Sequence, residues 1–228
     1  MIRRAMPVTL IVGSMFISCS KIDNYPSPDG DIYGKLTDKL TQEGLQTEEP
    51  GGFTIKLFEK GGSLNSPISF NGKPDGTYEN AHIFQDEYKV LPTEGAFFAI
   101  DTTEISIGGH TELNFEVDPF LAVADVTITP SAGTVTASYK IVRDRAAEKI
   151  VERKTLVSRV PTLNNIVFDF KSETDLSGTP DEEILSDQYT DTVSGLTSGD
   201  TYYVRIAVRT DNALKKYNYS KIFKIEIP

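Results

Sequence analysis

The chain has 228 residues, 39% of them hydrophobic and 25% charged, with a formal net charge of −10. That length accommodates two ordinary domains, and the acidic balance argues against nucleic acid or an anionic membrane surface as partner. A single cysteine, Cys19, excludes an internal disulfide framework.

In chain order, Arg3 and Arg4 precede an apolar run from Val8 to Ile17 that is too short to span a bilayer. A charged start followed by such a run reads as a secretory signal. Ile17-Ser18-Cys19 then resembles a bacterial lipobox, whose cysteine becomes the first mature residue and carries lipid; Phe16 departs from that motif. The expectation is a signal peptide over residues 1–18 and a lipid anchor at Cys19. The polar, proline-spaced segment "SKIDNYPSP" belongs to a tether over residues 19–30. Several acyl chains on one cysteine make durable attachment, because each buried methylene contributes about 0.8 kcal/mol. Loss of Arg3 and Arg4 with the signal takes the net charge to −12.

The rest is a succession of short runs in which apolar and polar residues alternate, such as "FTIKLFE", "EYKVLP", "TVTASYKIV" and "TYYVRIAV". Turn signals separate them, among them "KGGS", "GKPDG", "PSAG" and "LSGTP". Only "PDEEILSD" reads as a helical turn. The fold class is therefore all-β, two consecutive β-sandwich domains over residues 31–118 and 119–228. Charge divides at the same place. The first segment holds 16 acidic and 6 basic side chains, the second 15 and 14.

In the first segment, Gly34-Lys35-Leu36-Thr37-Asp38, Gly76-Thr77-Tyr78 and Tyr88-Lys89-Val90-Leu91-Pro92 resemble the leading strands of transthyretin-like, carboxypeptidase-regulatory-like sandwiches. Gly34 permits close backbone approach, and Tyr88 and Val90 share a face at a spacing of two. Pro119 interrupts the chain before the second segment. There Leu196, Gly199 and Tyr202 resemble the L-x-x-G-x-x-Y of fibronectin type III (immunoglobulin-like) domains, whose tyrosine makes a corner. Tyr202, Val204, Ile206 and Val208 form the expected core face; Tyr203, Arg205, Ala207 and Arg209 form the expected wet face. With no tryptophan in the chain, Tyr139 or Phe168 is expected to plug the core. Seven strands are drawn from Val123 to Ile227, with "YKIVRDRAAEKIVERK" as a long hairpin.

The lipobox cysteine, Ile22–Tyr25 with Pro28, Gly34–Asp38, Tyr88–Pro92 and Phe115–Phe120 together resemble, in order, a group of Bacteroidetes surface lipoproteins. That resemblance implies an outer-membrane location and proximity to a SusC/SusD-like transporter pair. It implies an accessory role in capturing glycan or oligopeptide, with no cofactor. A structural spacer without ligand is the alternative, and a surface hydrolase trails both.

Catalytic signatures are missing from the sequence. His82 and His110 lack metal-ligand spacing and read as an edge or core residue and a turn residue. No nucleophile elbow or phosphate-cradling glycine loop occurs. Scattered carboxylates assign no glycosidase pair. "ETDLSGTPDEE" lacks a calcium-loop pattern and reads as a solvated loop, so no metal is expected. Sugar binding needs flat aromatic faces beside amides and carboxylates. The candidates are Tyr217 and Tyr219 in "KKYNYSK", and Tyr78 with Asn80, near Phe70, Phe84, Asn71 and Asp75.

Overall fold

The structure, a computed structural model, describes residues 27–62, 66–146 and 148–228. The expected signal peptide, Cys19 and most of the tether lie outside them. Among the described residues no helix is long and apolar enough to cross a membrane.

The first unit contributes β1 (Gly30–Asp38), β2 (Thr54–Glu59), β3 (Ile68–Asn71), β4 (Thr77–Ile83), β5 (Asp86–Thr93), β6 (Thr103–Ile107), β7 (His110–Glu112) and β8 (Phe115–Val117). In one sheet β1 is flanked by antiparallel β4 and by β7 and β8, which run parallel to it one after the other. The facing sheet has the order β3-β2-β5-β6. Ile32 and Leu36 from the first sheet meet Ile55, Leu57, Tyr88 and Val90 from the second in one buried core. Each such side chain contributes roughly 1.5–3 kcal/mol by leaving water. Gly34 is required as expected: a Cβ there would stand 1.8 Å from the Leu113 carbonyl oxygen. The buried Tyr78 hydroxyl donates to that same carbonyl.

The second unit contains β9 (Ala122–Ser131), β10 (Thr134–Val142), β11 (Ile150–Ser158), β12 (Phe170–Asp175), helix α1 (Asp181–Ser186), β13 (Gln188–Ser194), β14 (Thr201–Thr210), β15 (Asn218–Tyr219) and β16 (Phe223–Glu226). A sheet ordered β13-β10-β9 faces one ordered β12-β11-β14-β15, with β16 also on β14. This makes eight strands rather than seven, because β15 and β16 share one neighbour. Tyr202 is fully buried, and its hydroxyl accepts from the Thr197 backbone N–H at 3.1 Å, five residues upstream. That is the geometry of a tyrosine corner.

Two sequence expectations need correction, and a third is decided between its alternatives. The stretch "YKIVRDRAAEKIVERK" is not a hairpin, since β10 and β11 lie in opposite sheets and the link between them crosses the sandwich. Their matching alternation lets each present a core face to the other sheet. Tyr139 fills the core, its hydroxyl donating to Asp191 at 2.8 Å, whereas Phe168 packs on the far side of the β11–β14 sheet. That far side is also not wet. Arg205 and Ala207 are buried there, beneath Leu163, Tyr217 and Tyr219. Strand alternation identifies two faces, but it does not reveal that a returning segment covers the second.

The two units are locked together by polar contacts in the covering segment. Asn218 donates to the Ala96 carbonyl at 2.8 Å and accepts from the Leu121 N–H at 3.1 Å. Asn164 donates to the Glu49 carbonyl, and Lys216 pairs with Glu48 at 2.9 Å.

Candidate functional site

Because Ile32 and Leu36 point into the core, the alternate residues Asp31, Tyr33 and Lys35 project from the outer face of β1. The register places a glutamate directly across from Tyr33 on each side, Glu79 on β4 and Glu112 on β7. His110 lies across from Asp31 and stacks its imidazole on the Tyr33 ring, centroids 4.1 Å apart and planes 20° apart. Its Nδ1 contacts Asp31 Oδ2 at 2.5 Å, which fixes the imidazole edge. His110 is therefore more than a turn residue.

Two further pairs complete this face. Lys73 Nζ lies 3.3 Å from Glu79 Oε2. Asn114 Nδ2 donates to Glu112 Oε1 at 2.7 Å, while its Oδ1 accepts from the Lys35 N–H at 2.9 Å. Tyr33, His110 and both pairs line one open depression of about 640 Å³ on the sheet. An aromatic stack flanked by carboxylate, amide and ammonium groups suits a polyhydroxylated ring. C–H groups pack on the π-face while hydroxyls exchange hydrogen bonds at the rim. Tyr33, Glu79, His110 and Glu112 belong to strands, and Lys73 and Asn114 to the short links beside them, so little ordering of the stack and its two carboxylates is left for a ligand to impose.

The residues selected from sequence lie elsewhere. Tyr217 and Tyr219 are 7% and 6% exposed, and they belong to the covered side of the β11–β14 sheet. Burial raises both hydroxyls above their ordinary pKa, so they serve as protonated donors to internal carboxylates. Tyr217 donates to Glu152, and Tyr219 donates to Glu48 of the first unit at 3.1 Å. Tyr219 joins the two units, Tyr217 is bonded within the second, and neither offers a free stacking face, contrary to their expected role as ligand contacts. Tyr78 is likewise a core residue at 1% exposure, its hydroxyl pushed up by burial. Asn80 is half-buried and accepts from the His82 N–H at 3.0 Å. Of the four, only Tyr78 touches the depression, and it does so from beneath.

In the "ETDLSGTPDEE" loop, Asp175 accepts from the Ser177 N–H and hydroxyl, and Asp181 pairs with Arg143 and Lys149. The described residues hold no group of three or more potential metal ligands. A crevice of about 360 Å³ opens between the units over Phe97, Phe98, Phe120 and Leu214. Its floor is apolar, and one face of Phe98 is already taken by Arg145, 3.5 Å from the ring centroid. Of its polar lining, Glu94 is bound to Thr54 and Lys56, and Asn212 to Thr210 and Lys216.

Residues 31–118 match the family model described as the N-terminal domain of a protein of unknown function, DUF3823. The first unit is thus similar to DUF3823 N-terminal domains. Among solved structures, a DUF3823 family protein from Bacteroides uniformis is 24% identical, with a TM-score of 0.74 over 89% of this chain and all of that one. One from Parabacteroides merdae is 18% identical, with a TM-score of 0.74 over 88% of this chain and all of the other. A third, from Bacteroides uniformis and described as a "putative carbohydrate binding protein", is 20% identical. Its TM-score is 0.73, over 88% of this chain and all of that protein. The likeness establishes a shared fold spanning both units. No curated protein matches the chain.

Proposed function

We propose that this protein is a non-catalytic carbohydrate-binding lipoprotein, anchored at the outer membrane through Cys19. It serves as an accessory subunit of a SusC/SusD-like uptake pair. The observation that carries the binding role is the Tyr33–His110 stack, set between Glu79 and Glu112 in an open depression. The relative described as carbohydrate binding shares the fold and supports the same reading. Support for the anchor comes from the apolar run ending in Ile17-Ser18-Cys19.

Affinity electrophoresis through gels containing neutral polysaccharides tests the binding role. The protein should be retarded in at least one gel, and Tyr33→Ala should migrate as in the blank gel while Tyr217→Ala stays retarded. Retardation that Tyr33→Ala leaves intact would remove the site. Turnover of the retarding polysaccharide would remove the non-catalytic assignment. For the anchor, Cys19→Ala should lose lipid labelling and leave the membrane fraction. A mutant that stays with membranes in high salt contradicts it.

A further inference from the structure

On each side of Tyr33 a hydrogen-bond acceptor stands beside a donor: Glu79 with Lys73 on β4's side, and Glu112 with Asn114 on β7's side. A vicinal diol needs this combination, because one hydroxyl donates to the carboxylate while its neighbour accepts from the ammonium or amide. Bonds to charged groups are also the stronger kind. With the tyrosine ring between the two pairs, a pyranose lying over it would present one edge to each.

The charges around the ring are mainly negative. Asp31, Glu79 and Glu112 all line or border the depression, and only Lys35 and Lys73 oppose them. Asp31 holds His110 Nδ1 through Oδ2, and its Oδ1 is buried with no partner among the described residues. The whole unit carries 16 acidic against 6 basic side chains. A uronate or sulfate ester brought onto the Tyr33 ring would meet Glu112, accompanied by a neutral amide, on one flank and a carboxylate paired with Lys73 on the other; like charge across an interface costs several kcal/mol.

We propose that the Tyr33 depression selects neutral glycans, clamping the vicinal diols of an unsubstituted pyranose between the Glu79–Lys73 and Glu112–Asn114 pairs, and that it rejects acidic ones. This rests on the carbohydrate-binding reading above and adds the class of sugar. The selection needs no further residue. It follows from rigid strands presenting acceptors where an acidic sugar would place its own charge.

The test is titration calorimetry of the detergent-solubilised full-length protein. The neutral probes are laminarin, yeast mannan and xyloglucan; the acidic probes are polygalacturonate and chondroitin sulfate. Glu112→Gln and Asn114→Ala are compared with Glu116→Gln, an exposed change of equal charge on β8 of the same sheet. At least one neutral polymer should bind, and neither acidic polymer should. Glu112→Gln and Asn114→Ala should each weaken binding about tenfold, the loss of one hydrogen bond involving a charged group, with Glu116→Gln unchanged. Neutral binding that Glu112→Gln leaves intact, or acidic binding that Tyr33→Ala abolishes, overturns the selectivity while the carbohydrate reading stands. Binding to none of the five polymers overturns both.

Discussion

Tyr219, near the end of the chain, donates its hydroxyl hydrogen bond to Glu48 of the first unit at 3.1 Å across 171 residues of sequence. The same hydroxyl accepts from the Asn165 N–H at 3.2 Å. The junction is therefore made by specific buried polar groups as well as by linker chain. Asn218→Ala would leave the Leu121 N–H without its partner in the interior, and would reduce the Ala96 carbonyl to its one bond from the Phe120 N–H. Chemical denaturation should show a loss of about 1–3 kcal/mol, the cost of one orphaned buried group. A loss below about 0.5 kcal/mol, typical of an ordinary surface substitution, would show that the junction is soft.

Tyr202 and Tyr203 are adjacent, yet they should differ sharply. Tyr202 is fully buried, and its hydroxyl also accepts from Arg159 at 2.8 Å. Tyr202→Ala should cost about 3–5 kcal/mol, the range for removing a large buried aromatic. Tyr203 is half-buried on the other side, so its truncation should cost far less. Equal midpoints in denaturant for the two variants would contradict the assigned facing.

Arg205 is buried with one guanidinium nitrogen unpartnered among the described residues. Burial lowers its pKa to about 10. A base held below its unfolded value weakens the fold while it is charged, and that penalty fades as pH rises through the folded pKa. The stability difference between wild type and Arg205→Met should be flat below about pH 9. Above it, the difference should shift in favour of wild type. A difference independent of pH would show that the guanidinium is not desolvated.

Asp181 behaves oppositely. Burial alone would raise its pKa, but hydrogen bonds from Lys149, the Ile150 N–H and Arg143 outweigh it and leave the carboxyl below the ordinary range. Its contribution is present above the ordinary carboxylate pKa and is lost as pH falls through the lowered value. Asp181→Asn should cost about 1–3 kcal/mol at pH 7, typical of hydrogen bonds to a charged group. Its stability profile should be flatter than wild type below pH 4. Parallel profiles would contradict the ion pairs.

The β-architecture was legible because alternation with period two survives in β5, β10 and β14, and because glycines mark the turns. Gly34 and Tyr202 were identifiable for their backbone and corner roles. The site was not. Tyr33 reads as one outward residue of β1, and nothing local announces that His110, from the parallel-paired β7, stacks upon it. Tyr217 and Tyr219 misled for the converse reason. Their spacing suggests an exposed aromatic strip, and only the tertiary fold reveals that Glu48 and Glu152 hold their hydroxyls inside.

The central claim is that a glycan is bound on the outer face of β1, β4 and β7. Chemical-shift mapping of the isotopically labelled protein during titration with a retained neutral oligosaccharide tests it most directly. The account predicts perturbations centred on Tyr33, His110, Glu112 and Asn114, fading toward β5 and absent from the junction. Perturbations centred on Tyr217 and Tyr219, or on the Phe98–Phe120 crevice, would contradict it.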